Sequence, residues 1–125
     1  MTTLNKAEGS EESWSKLKYE DVKKAVDEGD ASAKTKLAWL KLSGLGGAEI
    51  DEDNAVILLE ERVKEEDGDA MWILGVCYEY LIKTEESIQR AEELYKQSSE
   101  KGNEIGKFFV SLDERGSGMM KMNGL

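Results

Sequence analysis

The chain reads Gly68-Asp-Ala-Met-Trp-Ile-Leu-Gly-Val-Cys-Tyr-Glu-Tyr80 at its most apolar stretch. Large apolar side chains follow Ala70 at nearly every position, so a helix formed here must be contacted on more than one side. The stretch opens with a Gly-Asp pair that directly follows a polar, helix-like run. Glycine is favoured where a helix closes in the left-handed conformation, and Asp or Asn is favoured where the next helix begins. The pair therefore predicts a junction between two helices.

Pairs of this kind occur three times, as Gly29-Asp30, Gly68-Asp69 and Gly102-Asn103, at intervals of 39 and 34 residues. A period in the thirties is typical of helical hairpins that stack side by side into a solenoid. Proline is absent, although average usage would give roughly six residues in a chain of this length. The sequence therefore predicts an all-α fold built from repeated helix pairs.

Helical periodicity predicts one repeat domain over residues 13–115, with a disordered leader over 1–12 and a flexible tail over 116–125. In the tail, Met119, Met120 and Met122 allow two interpretations, a weak docking patch or a frayed end. The predicted helices are Ser13–Glu28, Ala31–Ser43, a third helix capped by Asp51 or Asp53, Asp69–Leu81, a fifth helix from Thr84 through Lys101, and Glu104–Glu114.

The charge of the chain excludes several classes of partner. The net charge is −10, with 27 acidic and 17 basic residues, and the densest basic stretch, Lys16–Lys24, is interrupted by Glu20 and Asp21. Nucleic acids and anionic membranes are therefore not expected as partners. The acidity is explained either by a solvated surface or by a preference for a basic partner. No apolar run approaches the ~20 residues of a membrane span, so we expect a cytoplasmic protein, with the nucleus as the other option.

The residue types that carry most enzyme chemistry are scarce. Histidine is absent, and Cys77 lies in an apolar run that predicts a buried structural thiol. The acidic stretch Asp51–Asn54 does not fit a calcium loop, because Val56 and Arg62 stand where the loop needs glycine and glutamate. No Gly-rich phosphate loop is present. We therefore expect no enzymatic activity, no cofactor and no metal.

Two stretches resemble the Sel1-like repeat family, which is related to tetratricopeptide repeats. Ala70–Tyr78 is similar to the first helix of that repeat, with its Ala, Leu-Gly and Tyr positions, and Arg90–Gly102 is similar to the second helix. The resemblance extends over Tyr19–Glu114, although Leu81–Lys83 lacks the family's Gly-rich hairpin turn. It implies a right-handed superhelix of antiparallel helix pairs, about six helices in all, that serves as an adaptor or scaffold.

In such a repeat the first helix of each pair lines the concave face, which implies a groove that binds a protein or peptide. The predicted groove residues are Thr35, Trp39, Trp72, Val76, Glu79, Tyr80, Phe108 and Leu112. Aromatic side chains are favoured anchors at binding surfaces. The other interpretation is that these residues pack within the hairpins or under the next helix.

A second hypothesis is self-association. A short solenoid has two exposed ends, and its terminal helices would pair with a second copy to form a structural homodimer. The oligomeric state is therefore left open between a monomer and a weak homodimer.

Overall fold

The computed structural model describes residues 14–112, which form helices joined by short turns, with no strand among them. The helices are α1 (Tyr19–Asp27), α2 (Ala31–Ser43), α3 (Glu52–Lys64), α4 (Gly68–Val76), α5 (Glu85–Glu100) and α6 (104–112). A 3-10 turn, Leu45–Gly47, follows α2, and a π-helical segment, Cys77–Ile82, continues α4. The all-α prediction is confirmed. The predicted leader, the tail and its three methionines lie outside the described residues.

Two predicted helix boundaries are wrong. The predicted helix Ser13–Glu28 is interrupted, because residues 15–18 after the helical Trp14 are not helical and Lys18 has an extended backbone with ψ 135°, so α1 starts at Tyr19. The Trp14 ring packs edge-on against Trp39, with centroids 6.1 Å apart. The fourth helix changes at Cys77 to π-helical bonding, and the amide of Lys83 donates to the carbonyl of Tyr78, five residues earlier, at 3.1 Å. By contrast, Ala31–Ser43 matches the predicted span at both ends.

Three of the five junctions between the six helices of residues 14–112 share one backbone hydrogen-bond pattern. In each, the amide of an Asp or Asn donates to a carbonyl five residues earlier: Asp30 to Ala25 at 3.0 Å, Asp67 to Arg62 at 3.1 Å, and Asn103 to Ser98 at 3.1 Å. The residue before each is left-handed, with φ of 96° at Gly29, 65° at Glu66 and 84° at Gly102. This is the Schellman closure of a helix, and it ends α1, α3 and α5.

The middle junction corrects the predicted caps. The side chain of Asp67 accepts from the amides of Asp69 at 2.9 Å and Ala70 at 3.3 Å, so Asp67 is the N-cap and Gly68 is the first helical residue. The prediction that Gly68 closes one helix and Asp69 caps the next is therefore wrong. Asp30, Asp67 and Asn103 are 37 and 36 residues apart, so the repeat is more regular than the intervals of 39 and 34 suggested.

The chain divides between Leu58 and Leu59, within α3, into two compact units. In the first unit, α1 packs on α2 around a small core of Val22, Ala33, Leu37 and Leu40. The left-handed turn at Gly46 lies against this pair, since a Cβ added there would be 2.4 Å from the carbonyl oxygen of Leu17. Lys41 Nζ donates to Asn54 Oδ1 at 2.6 Å, which links α2 to the start of α3.

Candidate functional site

The second unit is organised around the Tyr95 side chain on α5. Its ring lies against Gly75 of α4, where an added Cβ would be 2.6 Å from Tyr95 Cε1. The Tyr95 hydroxyl donates to Glu79 Oε1 at 2.7 Å. Its ring also stacks on Phe109 of α6, with centroids 4.6 Å apart and planes inclined by 9°. Tyr95 therefore contacts the π-helical segment as well as α4 and α6.

α6 is held by close packing and by side-chain hydrogen bonds. A Cβ added at Gly106 would be 2.3 Å from Ser98 Oγ, so only a glycine fits against α5 without displacement. Asn103 caps α6 through its Oδ1 and donates from Nδ2 to Asp69 Oδ1 at 2.8 Å. Trp72 Nε1 donates to the same Asp69 oxygen at 3.2 Å. The inner face of α6 is thereby fixed against α4 and α5.

The predicted groove residues fall into three groups by exposure. Thr35 and Trp72 are buried, with 2% and 9% of their surface exposed. Trp39, Val76 and Glu79 are half-buried. Tyr80, Phe108 and Leu112 are exposed at 57%, 54% and 42%. Phe108 and Leu112 are four residues apart on α6, so they share one outward face of that helix.

Further apolar residues of the second unit are exposed, and sequence reasoning missed them. Leu81 and Ile82 end the π-helical segment, and Ile88 lies on the second turn of α5; all three are exposed. The available signal was the unbroken apolar run Tyr80-Leu81-Ile82 directly before a turn, where a helix that packs on one side has no need of three consecutive apolar residues.

A polar cluster joins α3 and α5 to the π-helical segment. The Tyr78 hydroxyl donates to Glu60 Oε2, and Arg90 lies 3.7 Å from the other Glu60 oxygen. The hydrogen bond to Glu60, followed by burial and by the charge of Glu60, raises the pKa of Tyr78 above its usual value. The cluster therefore keeps the phenol protonated and ties three helical segments together.

A shallow cavity of about 500 Å³ lies beside this cluster. Its lining combines acidic, basic and apolar groups: Val63, Glu66, Met71, Arg90, Gln97, Glu100 and Lys101. Lys101 pairs with Glu66 and lowers the pKa of that carboxyl group, while Arg90 faces Glu60. The basic groups of the lining are thus already matched by carboxylates.

Within residues 14–112, no cluster of three or more histidine, cysteine, aspartate or glutamate side chains has metal-binding geometry. In the same part of the chain, none of the helices has the length and apolar character needed to cross a membrane. Cys77 is buried, as its apolar setting predicted. Comparison of the chain with protein-family models, curated proteins and solved structures finds no match.

Proposed function

We propose that this chain is a Sel1-like helical-repeat protein that binds a peptide or a partner protein through the exposed apolar side chains of its second unit. The proposed contacts are Tyr80 within the π-helical segment and Phe108 with Leu112 on α6. Val76 and Glu79, which are half-buried on the same helix as Tyr80, border this surface. The activity is recognition without catalysis.

The observation that carries the proposal is the exposure of Phe108 and Leu112 on a helix whose other face is fully engaged. Gly106 and Phe109 hold α6 against α5. Phe108 touches the Phe109 ring edge-on, with centroids 5.8 Å apart, and still leaves more than half of its surface exposed. Large apolar side chains grouped on a surface mark sites where another molecule binds. Aromatic residues are also the commonest anchors in protein interfaces.

The repeated junctions support the assignment to a helical-repeat class. The spacings of 37 and 36 residues, the shared backbone closures and the close contacts at Gly75 and Gly106 are what stacked helix pairs require. A right-handed superhelix with a concave face is part of the proposal. Thr35 and Trp72 act in it as packing residues rather than as contacts for the partner, because both are buried.

The test is selection from a displayed peptide library against the full chain, followed by calorimetric titration of the recovered peptides. Tyr80→Ala or Phe108→Ala should weaken binding by about tenfold or more. Ile57→Ala is the matched control, because Ile57 is also exposed at 57% but lies on α3. Recovery of no specific peptide, or binding that neither variant weakens, would contradict the proposal.

The same preparations test the self-association hypothesis. Sedimentation equilibrium of the wild type should show a monomer at all concentrations. A dimer that Phe108→Ala dissociates would instead favour the homodimer formed through terminal helices.

A further inference from the structure

We infer that the outward face of α6 is a docking site for a basic amphipathic helix of a partner protein, with an aromatic side chain of that helix stacked on Phe108. This inference rests on the proposed function and specifies the partner's chemistry. It follows from comparing α6 with the equivalent helix one repeat earlier.

Phe108 occupies a repeat position that is buried in both earlier copies. Counting back by the junction spacings of 36 and 37 residues, Phe108 corresponds to Trp72 and then to Thr35. Thr35 and Trp72 are almost completely buried, whereas more than half of Phe108 is exposed. The position is therefore covered in two copies and uncovered in the third.

The cover on Trp72 shows what this position accepts. Phe109 of α6 stacks on the Trp72 ring, with centroids 6.0 Å apart and planes inclined by 24°. The covering element is thus a helix that presents an aromatic ring. A second helix of the same kind, placed on α6, would bring its own ring to Phe108 and cover Leu112 one turn further on.

The contact on α6 would differ from the α4–α6 contact in its polar part. Asp69 receives a hydrogen bond from Asn103, but the position equivalent to Asp69 on α6 is Ile105. The pair Glu104 and Lys107 is ion-paired at 3.3 Å, so it neutralises itself. The incoming helix therefore needs an apolar stripe here rather than a hydrogen-bond donor that copies Asn103.

Charge selects among the possible occupants. The chain carries a net charge of −10, so a second copy would approach against repulsion, whereas a helix with lysine or arginine beside its apolar stripe would be attracted. An extended peptide that binds by strand addition needs a strand edge, and residues 14–112 contain no strand. A basic helix fits both the shape and the charge.

The experiment uses a synthetic helical probe and the full chain labelled with 15N. The probe has the sequence of residues 103–112, followed by two lysines. The probe carries the substitutions Glu104→Lys and Phe108→Glu, and the two new side chains are joined by a lactam bridge. The bridge holds the probe helical and leaves its Phe109 ring available. Amide shifts are recorded during titration with the probe and with a control probe that carries Phe109→Ala.

We expect shifts concentrated at residues 104, 107, 108, 111 and 112. Affinity should fall by at least about tenfold with Phe108→Ala in the chain or Phe109→Ala in the probe. Ile57→Ala should bind like the wild type. Circular dichroism of the Phe108→Ala chain should remain helical, because more than half of Phe108 is exposed and its ring meets Phe109 only edge-on.

Three outcomes would overturn the inference. Shifts centred on Tyr80 and Leu81 would show binding elsewhere and leave the broader proposed function standing. Absence of shifts with the probe, while peptides from library selection still bind, would have the same meaning. A dimer that depends on Phe108 in sedimentation would make a second copy the occupant instead of a basic partner helix.

Discussion

The ring of Tyr95 lies so close to the backbone of Gly75 that no side chain fits between α4 and α5. A Cβ at position 75 would be 2.6 Å from Cε1 and 2.9 Å from Cδ1 of the ring. The ring is not free to retreat, because its hydroxyl donates to Glu79 and it stacks on the ring of Phe109. Position 75 therefore requires glycine, because the Tyr95 ring is held in place by Glu79 and by Phe109.

Gly75→Ala should lower the free energy of unfolding by roughly 1–3 kcal/mol, the usual cost of overpacking, even though alanine favours a helix by about 1 kcal/mol over glycine. Urea denaturation followed by circular dichroism measures the change. Gly68→Ala is the control, because its added Cβ would meet its nearest neighbour at an ordinary 3.4 Å. Equal stability of the two variants would refute the close contact.

Asp67→Ala should destabilise the second unit by about 1–2 kcal/mol, as expected for loss of an N-cap. The substitution removes the acceptor for the amides of Asp69 and Ala70 and the partner of Arg62, whose Nη2 donates to Asp67 at 3.1 Å. Thermal unfolding would detect the loss. Asp67→Asn keeps a capping oxygen and should recover most of the stability; if Asp67→Ala melts like the wild type, the cap has been assigned to the wrong residue.

Lys83→Gly should stabilise the chain by about 0.5–1 kcal/mol, because Lys83 has φ 63° and a left-handed backbone costs any residue with a Cβ more than it costs glycine. Gly46, 37 residues earlier, has φ 67° and already uses glycine for this conformation. Lys83→Ala keeps the Cβ and should bring no gain. Chemical denaturation of the three proteins would separate the backbone effect from loss of the lysine side chain.

Tyr78→Phe should remove one cause of the loss of folding stability at alkaline pH. Unfolded tyrosine loses its proton near the usual pKa of about 10, while folded Tyr78 holds it to higher pH because Glu60 accepts its hydrogen bond. That stabilisation is fully present below about pH 10 and is lost as the pH rises through the folded pKa. The stability of the wild type relative to the variant should therefore be constant up to about pH 9 and fall above about pH 10. A parallel pH dependence of the two proteins would contradict it.

Local chemistry was enough to predict much of this fold. Gly29 with Asp30 and Gly102 with Asn103 reverse the chain as expected, and Thr84 caps α5. The middle junction was not predicted correctly, because Glu66 takes the left-handed conformation there. Residue preference alone favours a glycine at such a position.

The candidate site was harder to predict, because periodicity shows which residues share a helix face but not which faces a neighbour covers. Trp72 and Phe108 have the same place in the repeat, yet a ring of α6 covers the first and leaves the second exposed. The π-helical segment after Cys77 also changes the facing of Tyr80 relative to a regular helix. Both effects arise from tertiary packing.

The matching closures at Glu66 and Gly102 have a consequence for chain growth. The helix before Asp67 and the helix before Asn103 end with the same backbone closure. The 36 residues from Asp67 to Gly102 therefore form a repeat unit whose two ends match. Duplicating that repeat unit in tandem would join ends that already fit, and the protein would lengthen by one hairpin without new linker sequence.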